Sequence, residues 1–120
     1  MAPQIITQEN LSFNDLLIRP LYSEVRSRDD VSLVTELSGG LKLDIPILAA
    51  NMDTVCGTEM AGVMGELGGM GVLHRGMAVG QRIKAVTNLA DEGLRVGVAV
   101  GIHALMKEIV EYIDRGASAI

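Results

Sequence analysis

Cys56 is the only cysteine in this chain. A lone thiol excludes an internal disulfide and a zinc site built on cysteines, and it suits a reducing compartment. Tryptophan is absent, and the aromatics are limited to Phe13, Tyr22 and Tyr112. A core must therefore be assembled from Val, Ile, Leu, Met and Ala. No apolar run approaches the roughly 20 residues of a membrane span, and the start lacks the basic stretch and apolar core of a signal peptide. Basic residues are in the minority, 10 Lys and Arg against 15 Asp and Glu, for a net charge of −5. They do not cluster, which argues against a nucleic-acid surface. The expectation is a cytoplasmic protein with neither a membrane nor a nucleic acid as partner.

What is present points to a folded globular chain. Hydrophobic residues make up 48% of its 120 positions and charged residues 21%, a balance that disordered chains do not have. Fourteen glycines are too many for a simple helix bundle and predict tight turns or close backbone packing.

Two parts read differently. Residues 1–45 are short mixed segments, with strands expected at 31–33 and 41–43 around a turn at Gly39-Gly40. They read as an N-terminal extension that packs on something larger. From residue 46 the pattern is regular. Pro46-Ile47-Leu48-Ala49-Ala50 is the short apolar run of a strand buried on both faces. Met60, Val63, Met64 and Leu67 then trace a helical stripe that Gly68-Gly69 stops. Met70-Gly71-Val72-Leu73 is a second buried run, and Val79, Ile83, Val86 and Ala90 form a second stripe closed by Gly93. Residues 95–100 read as a third strand. Leu105, Ile109, Tyr112 and Ile113 form a third stripe closed by Gly116, and Ser118 opens a fourth strand. Ile47, Gly71, Arg95 and Ala119 repeat every 24 residues.

A strand–helix unit at that period predicts parallel strands joined by helical crossovers. The fold expected is α/β, an incomplete (β/α)8 TIM barrel comprising three units and the start of a fourth strand. An open doubly wound sheet is the competing architecture, but its Gly-x-Gly-x-x-Gly turn after the first strand is missing. Three units close no barrel, so either the segment belongs to a longer chain or other copies complete it. Alone, it is expected to fold poorly or self-associate through unpaired strand edges.

A parallel barrel places its active site at the C-terminal strand ends. That rule selects Ala50-Asn51-Met52-Asp53-Thr54, then His74-Arg75, then Gly101-Ile102-His103. Asp53 and Thr54 have two readings, a cap on the following helix or a ligand contact. His74-Arg75 sets a titratable ring and a fixed cation where barrels bind anions, or else faces solvent as a surface pair. His103 reads as structural. Cys56 has the intrinsic reactivity of a nucleophile, but no histidine lies near it, and a small buried cysteine is the plainer reading. Met60, Met64 and Met106 read as core filler, and Ser27-Arg28-Asp29-Asp30 as a solvated loop.

Three motifs identify a family. Leu11-Ser12-Phe13-Asn14-Asp15-Leu16-Leu17-Ile18-Arg19-Pro20, Ile45-Pro46-Ile47-Leu48-Ala49-Ala50-Asn51-Met52-Asp53-Thr54-Val55 and Gly68-Gly69-Met70-Gly71-Val72-Leu73-His74-Arg75 closely resemble, in order, segments of the IMP dehydrogenase/GMP reductase family. The resemblance implies a (β/α)8 barrel, a purine nucleoside monophosphate (GMP or IMP), NADP or NAD as cofactor, and a homo-oligomer, a tetramer when complete. It also implies that the nucleophilic cysteine and the potassium-binding loop lie downstream of Ile120. Cys56 does not match that cysteine, so no catalytic residue and no metal ligand is expected within these residues. Ala50 and Met52 match positions lining the nucleotide pocket. Ser27-Arg28 matches a Ser-Arg pair that in GMP reductases reaches a neighbouring subunit's cofactor. Arg75 matches a cofactor-contacting lysine, although the two cations bind differently.

In most of the dehydrogenases a pair of CBS modules separates the second helix from the third strand. Here Asn88-Leu89-Ala90-Asp91-Glu92-Gly93-Leu94 runs straight across. With Ser27-Arg28 and Asn51, this leans toward NADPH-dependent conversion of GMP to IMP. The glycine-rich Gly68-Gly69-Met70-Gly71 is closer to the dehydrogenases. The alternatives are an NAD-dependent IMP dehydrogenase without CBS modules and a non-catalytic truncated homologue that assembles with full-length copies.

Overall fold

In the computed structural model, which describes residues 11–120, three helices end in the same way. The first ten residues lie outside the described residues; part of the expected N-terminal extension and the reading of the chain's start fall on them. Helix α1 (Thr58–Glu66), α2 (Val79–Asp91) and α3 (Met106–Asp114) are followed by Gly68, Gly93 and Gly116 at φ 85°, 76° and 97°. This left-handed conformation is strained for residues with a Cβ. It lets the next amide turn back to the last helical turn. Thus Gly69 N–H donates to the Met64 carbonyl, Leu94 to Leu89 and Ala117 to Tyr112, each at 2.9 Å. All three stops were legible as glycines.

The chain forms two compact units that divide between Val31 and Ser32. In the first, the regular structure among the described residues is two single-turn 3-10 segments, Phe13–Asp15 and Arg28–Asp30. Asp15 accepts from the Ser12 N–H and hydroxyl, both at 2.7 Å, and the hydroxyl bond leads in holding its carboxyl below the usual range. Ser27 and Asp30 form a capping box around the second turn.

In the second unit, β1 (Thr35–Glu36) pairs antiparallel with β2 (Lys42–Leu43). Gly39 and Gly40 turn the chain between them, and Leu37 N–H closes on the Leu41 carbonyl at 2.7 Å. The strand expected at 31–33 therefore lies later, at Thr35–Glu36. Its position follows from the hairpin, because a strand forms where a partner stands opposite, and the tight closure brings 35–36 against 42–43.

Strands β3 (Leu48–Ala49), β4 (Met70–Leu73) and β5 (Val96–Val98) form a parallel sheet in that order. Ala49 stands opposite Gly71, and Gly71 opposite Val96, so the period is only approximately 24 residues. Ala119 bridges Gly97 in parallel and extends the order by the start of a further strand. Each crossover between neighbouring strands is one helix, as the alternating pattern requires. No helix among the described residues is long and apolar enough to cross a membrane.

The core comprises Cys56, Ala61, Leu73, Ala85, Val86, Leu89, Val96, Val98 and Tyr112. It corrects the expected helix faces. Helix α1 buries Ala61 and leaves Met60, Val63 and Leu67 exposed. The reason is distance: a Cβ on Gly71 would overlap the Ala61 Cα and lie 2.7 Å from its Cβ. A helix that close to a strand can present only small side chains to it. Helix α2 buries Arg82, Ala85, Val86 and Leu89, sharing only Val86 with the expected stripe. In α3 Tyr112 is buried, whereas Ile113 is exposed and Leu105 stands at the N-cap. Met60 and Met106 are exposed rather than core filler.

Candidate functional site

The parallel sheet brings the selected polar residues to one end. After β3 the chain makes a compact turn: Met52 N–H donates to the Ala50 carbonyl at 2.8 Å. The Met52 carbonyl accepts from Val55 and Cys56 at 2.9 and 3.0 Å. Ala50, Asn51, Met52, Asp53 and Thr54 are exposed on this turn, while Cys56 anchors its far end in the core. Burial pushes the Cys56 thiol up from its ordinary value, and a backbone hydrogen bond from Val72 only partly offsets this. With its sulfur beside Gly71, Cys56 is a packing residue, as its lack of a nearby histidine suggested.

The capping reading of Asp53 and Thr54 fails, because the N-cap of α1 is Gly57, which makes no side-chain cap bond. Asp53 instead faces His74 at the end of β4, with Oδ1 3.5 Å from Nε2. His74 is only 8% exposed, and its Nδ1 has no hydrogen-bond partner among the described residues. Two strand ends that read as separate sites are thus one. Arg75, the next residue, is exposed and makes no ion pair among the described residues. It presents a cation suited to a phosphate.

At the third strand end Ala99 N–H donates to the Leu73 carbonyl at 2.9 Å, and the chain turns with Ala104 N–H on the Gly101 carbonyl at 2.9 Å. His103 is exposed on this turn and so has no core role. Behind the strand lies a cluster that sequence reasoning missed. Arg82, 5% exposed, donates to the Ala99 carbonyl at 3.0 Å and to Glu108 Oε1 at 3.1 Å. Its guanidinium carbon lies 5.2 Å from the Tyr112 ring centroid, and the Tyr112 hydroxyl donates to the same Glu108 oxygen at 2.8 Å. Burial first, then that bond, pushes the Tyr112 hydroxyl up to about 12. The only sequence signal was the Glu108–Tyr112 spacing of four, which sets both on one helix face; nothing marked Arg82 as inward.

Ser27 and Arg28 belong to the first compact unit. The Ser27 hydroxyl accepts from Asp29 N–H at 3.2 Å, and Arg28 is exposed. Among the described residues no group of three or more His, Cys, Asp or Glu is placed to hold a metal ion.

The IMP dehydrogenase / GMP reductase domain matches residues 10–120. The chain belongs to the IMP dehydrogenase/GMP reductase family. Among family members it is 37% identical over 86 residues to the inosine-5'-monophosphate dehydrogenase of Nitrosopumilus maritimus, covering 72% of this chain and 18% of that protein. It is 44% identical over 80 residues to the inosine-5'-monophosphate dehydrogenase of Bacillus subtilis, covering 67% and 16%. It is 49% identical over 67 residues to the GMP reductase of Leishmania donovani, covering 56% and 14%. The aligned region thus spans less than a fifth of each of these relatives. Relatives of both kinds match this chain, and the family assignment agrees with the three motifs.

Proposed function

We propose that this chain is the N-terminal segment of a purine-nucleotide oxidoreductase that deaminates GMP to IMP with NADPH. The observation that carries the reading is the convergence of the 50–54 turn and His74-Arg75 at one end of the parallel sheet, in a member of this family. In this reading the three strands and the Ala119 bridge begin a (β/α)8 barrel, with residues 1–45 as its extension. Ala50 and Met52 line the nucleotide pocket, and Arg75 holds the dinucleotide. The nicotinamide supplies hydride to the purine when bound. The direct passage from α2 to β5 favours the reductase, since it leaves no room for an inserted module. The cations Arg28 and Arg75 favour the extra phosphate of NADPH.

The protein expressed from its full reading frame is expected to consume NADPH with GMP, releasing ammonia, and to prefer NADPH to NADH. XMP formation from IMP and NAD⁺, without GMP-dependent NADPH loss, would assign it to the dehydrogenases. Activity with neither pair would favour a non-catalytic homologue.

The complete protein is further proposed to be a cytoplasmic homotetramer in which Ser27-Arg28 serves a neighbour's cofactor. Arg28→Ala should then raise the cofactor KM about tenfold, the effect of losing a charged hydrogen bond, while nucleotide binding stays within about twofold. Steady-state kinetics with each substrate varied in turn check this, and an unchanged cofactor KM removes the role.

A further inference from the structure

We propose that His74 is a positioning residue which, through Asp53, fixes the 51–54 turn and with it Met52 against the purine ring. The inference deepens the reading above and rests on it. Three observations lead to it. His74 is buried at a strand end, its side chain 10% exposed, although its Nδ1 finds no partner among the described residues; a polar ring in that position needs a reason, because burial removes its bonds to water. Its other nitrogen lies 3.5 Å from Asp53, whose side chain is 88% exposed. Packing does not force that carboxylate toward the ring, and it caps no helix. Finally, Asp53 adjoins Met52, whose carbonyl already accepts from Val55 and Cys56. The turn thus runs from β3, which pairs with β4 through Ala49 and Gly71, to its core anchor at Cys56, and between them Asp53 faces the ring at the end of β4.

The chemistry is consistent with this role. Nε2 faces the carboxylate, and Nδ1 is packed against Gly76, where a Cβ would come within 2.9 Å. The ring is confined on one side by that turn, and its other nitrogen is turned toward Asp53. At 3.5 Å the contact is longer than a hydrogen bond. It has room to tighten when a nucleotide fills the pocket, as contacts of unliganded sites commonly do.

The test uses the protein from its full reading frame, with GMP and IMP as probes. Asp53→Ala, a change at an exposed side chain, should raise the nucleotide KM and Kd about tenfold while kcat falls less than threefold and the dinucleotide KM stays within twofold. His74→Ala should match it, and the double variant should be no worse than either alone, since both remove one interaction. His74→Gln, whose amide N–H stands near the Nε2 position, should keep the nucleotide KM within about threefold of the parent. Loss of packing alone would lower thermal stability and kcat together and would not be rescued by Gln. An Asp53→Ala protein that binds both nucleotides like the parent overturns the proposal, as does additivity of the two single changes. A parent protein that binds neither GMP nor IMP overturns the underlying function instead, and the inference with it.

Discussion

Arg82→Ala is expected to destabilise the protein by about 3–5 kcal/mol, the usual consequence of removing one member of a buried ion pair. The guanidinium joins α2 to the end of β5 and to α3 through the Ala99 carbonyl, Glu108 and the Tyr112 ring. Without it, the Glu108 carboxylate, 19% exposed, remains against the core with only the Tyr112 hydroxyl to balance it. The triple replacement Arg82→Met, Glu108→Leu, Tyr112→Phe removes the charges and the hydroxyl together and should cost less than Arg82→Ala alone, because no charge is then stranded. Urea unfolding of the three proteins checks both statements. A loss below about 1 kcal/mol for Arg82→Ala, the range of a surface pair, would show that the cluster is solvated in practice.

Gly71→Ala should be comparably damaging, with a loss of about 3 kcal/mol, the upper end for overpacking a tight core. The added methyl would stand 2.7 Å from the Ala61 Cβ and 3.0 Å from the Cys56 sulfur. It would also overlap the Ala61 backbone, so α1 as a whole must move away from β4. The shift would reach the 50–54 turn through Cys56, and under the proposed function nucleotide affinity should fall with stability. Thermal unfolding and nucleotide titration of the variant provide the measurement. Ala61→Gly on the Gly71→Ala background should restore part of the loss by vacating one of the overlapping atoms. Failure of that rescue would mean that the helix backbone, not the Ala61 side chain, sets the limit.

Much of this was legible along the chain. The apolar runs at 46–50, 70–73 and 95–100 contain the parallel strands and the stripes appear as helices, although the first run, expected to be buried on both faces, leaves Ile47 and Leu48 exposed. Gly68, Gly93 and Gly116 take positive φ where helix stops were read, and Gly39 and Gly40 do so where a turn was read. The family was legible too, because its motifs occur as unbroken stretches of residues. The site was legible only in outline: the residues at the strand ends could be chosen from the sequence, but not their partners. Asp53 read equally well as a helix cap, since a capping side chain and a ligand-facing one have the same composition.

The faces of the helices were not legible. Met60, Val63 and Leu67 have the spacing of a buried stripe, yet it is Ala61 that packs on the sheet. Local sequence fixes where backbone hydrogen bonds run and where a left-handed residue can end them, because these depend on neighbours a few positions away. Which side of a helix meets the sheet depends on how closely the two backbones approach, and that is set by Gly71 pairing with Ala49 and Val96 on other strands. The same holds for Arg82 and His74. Residue type points Arg82 to the surface, and the sequence left His74 between an anion site at a strand end and a solvent-facing pair. The fold buries one against Glu108 and Tyr112 and turns the other toward Asp53, because those partners reach them only through the parallel crossovers.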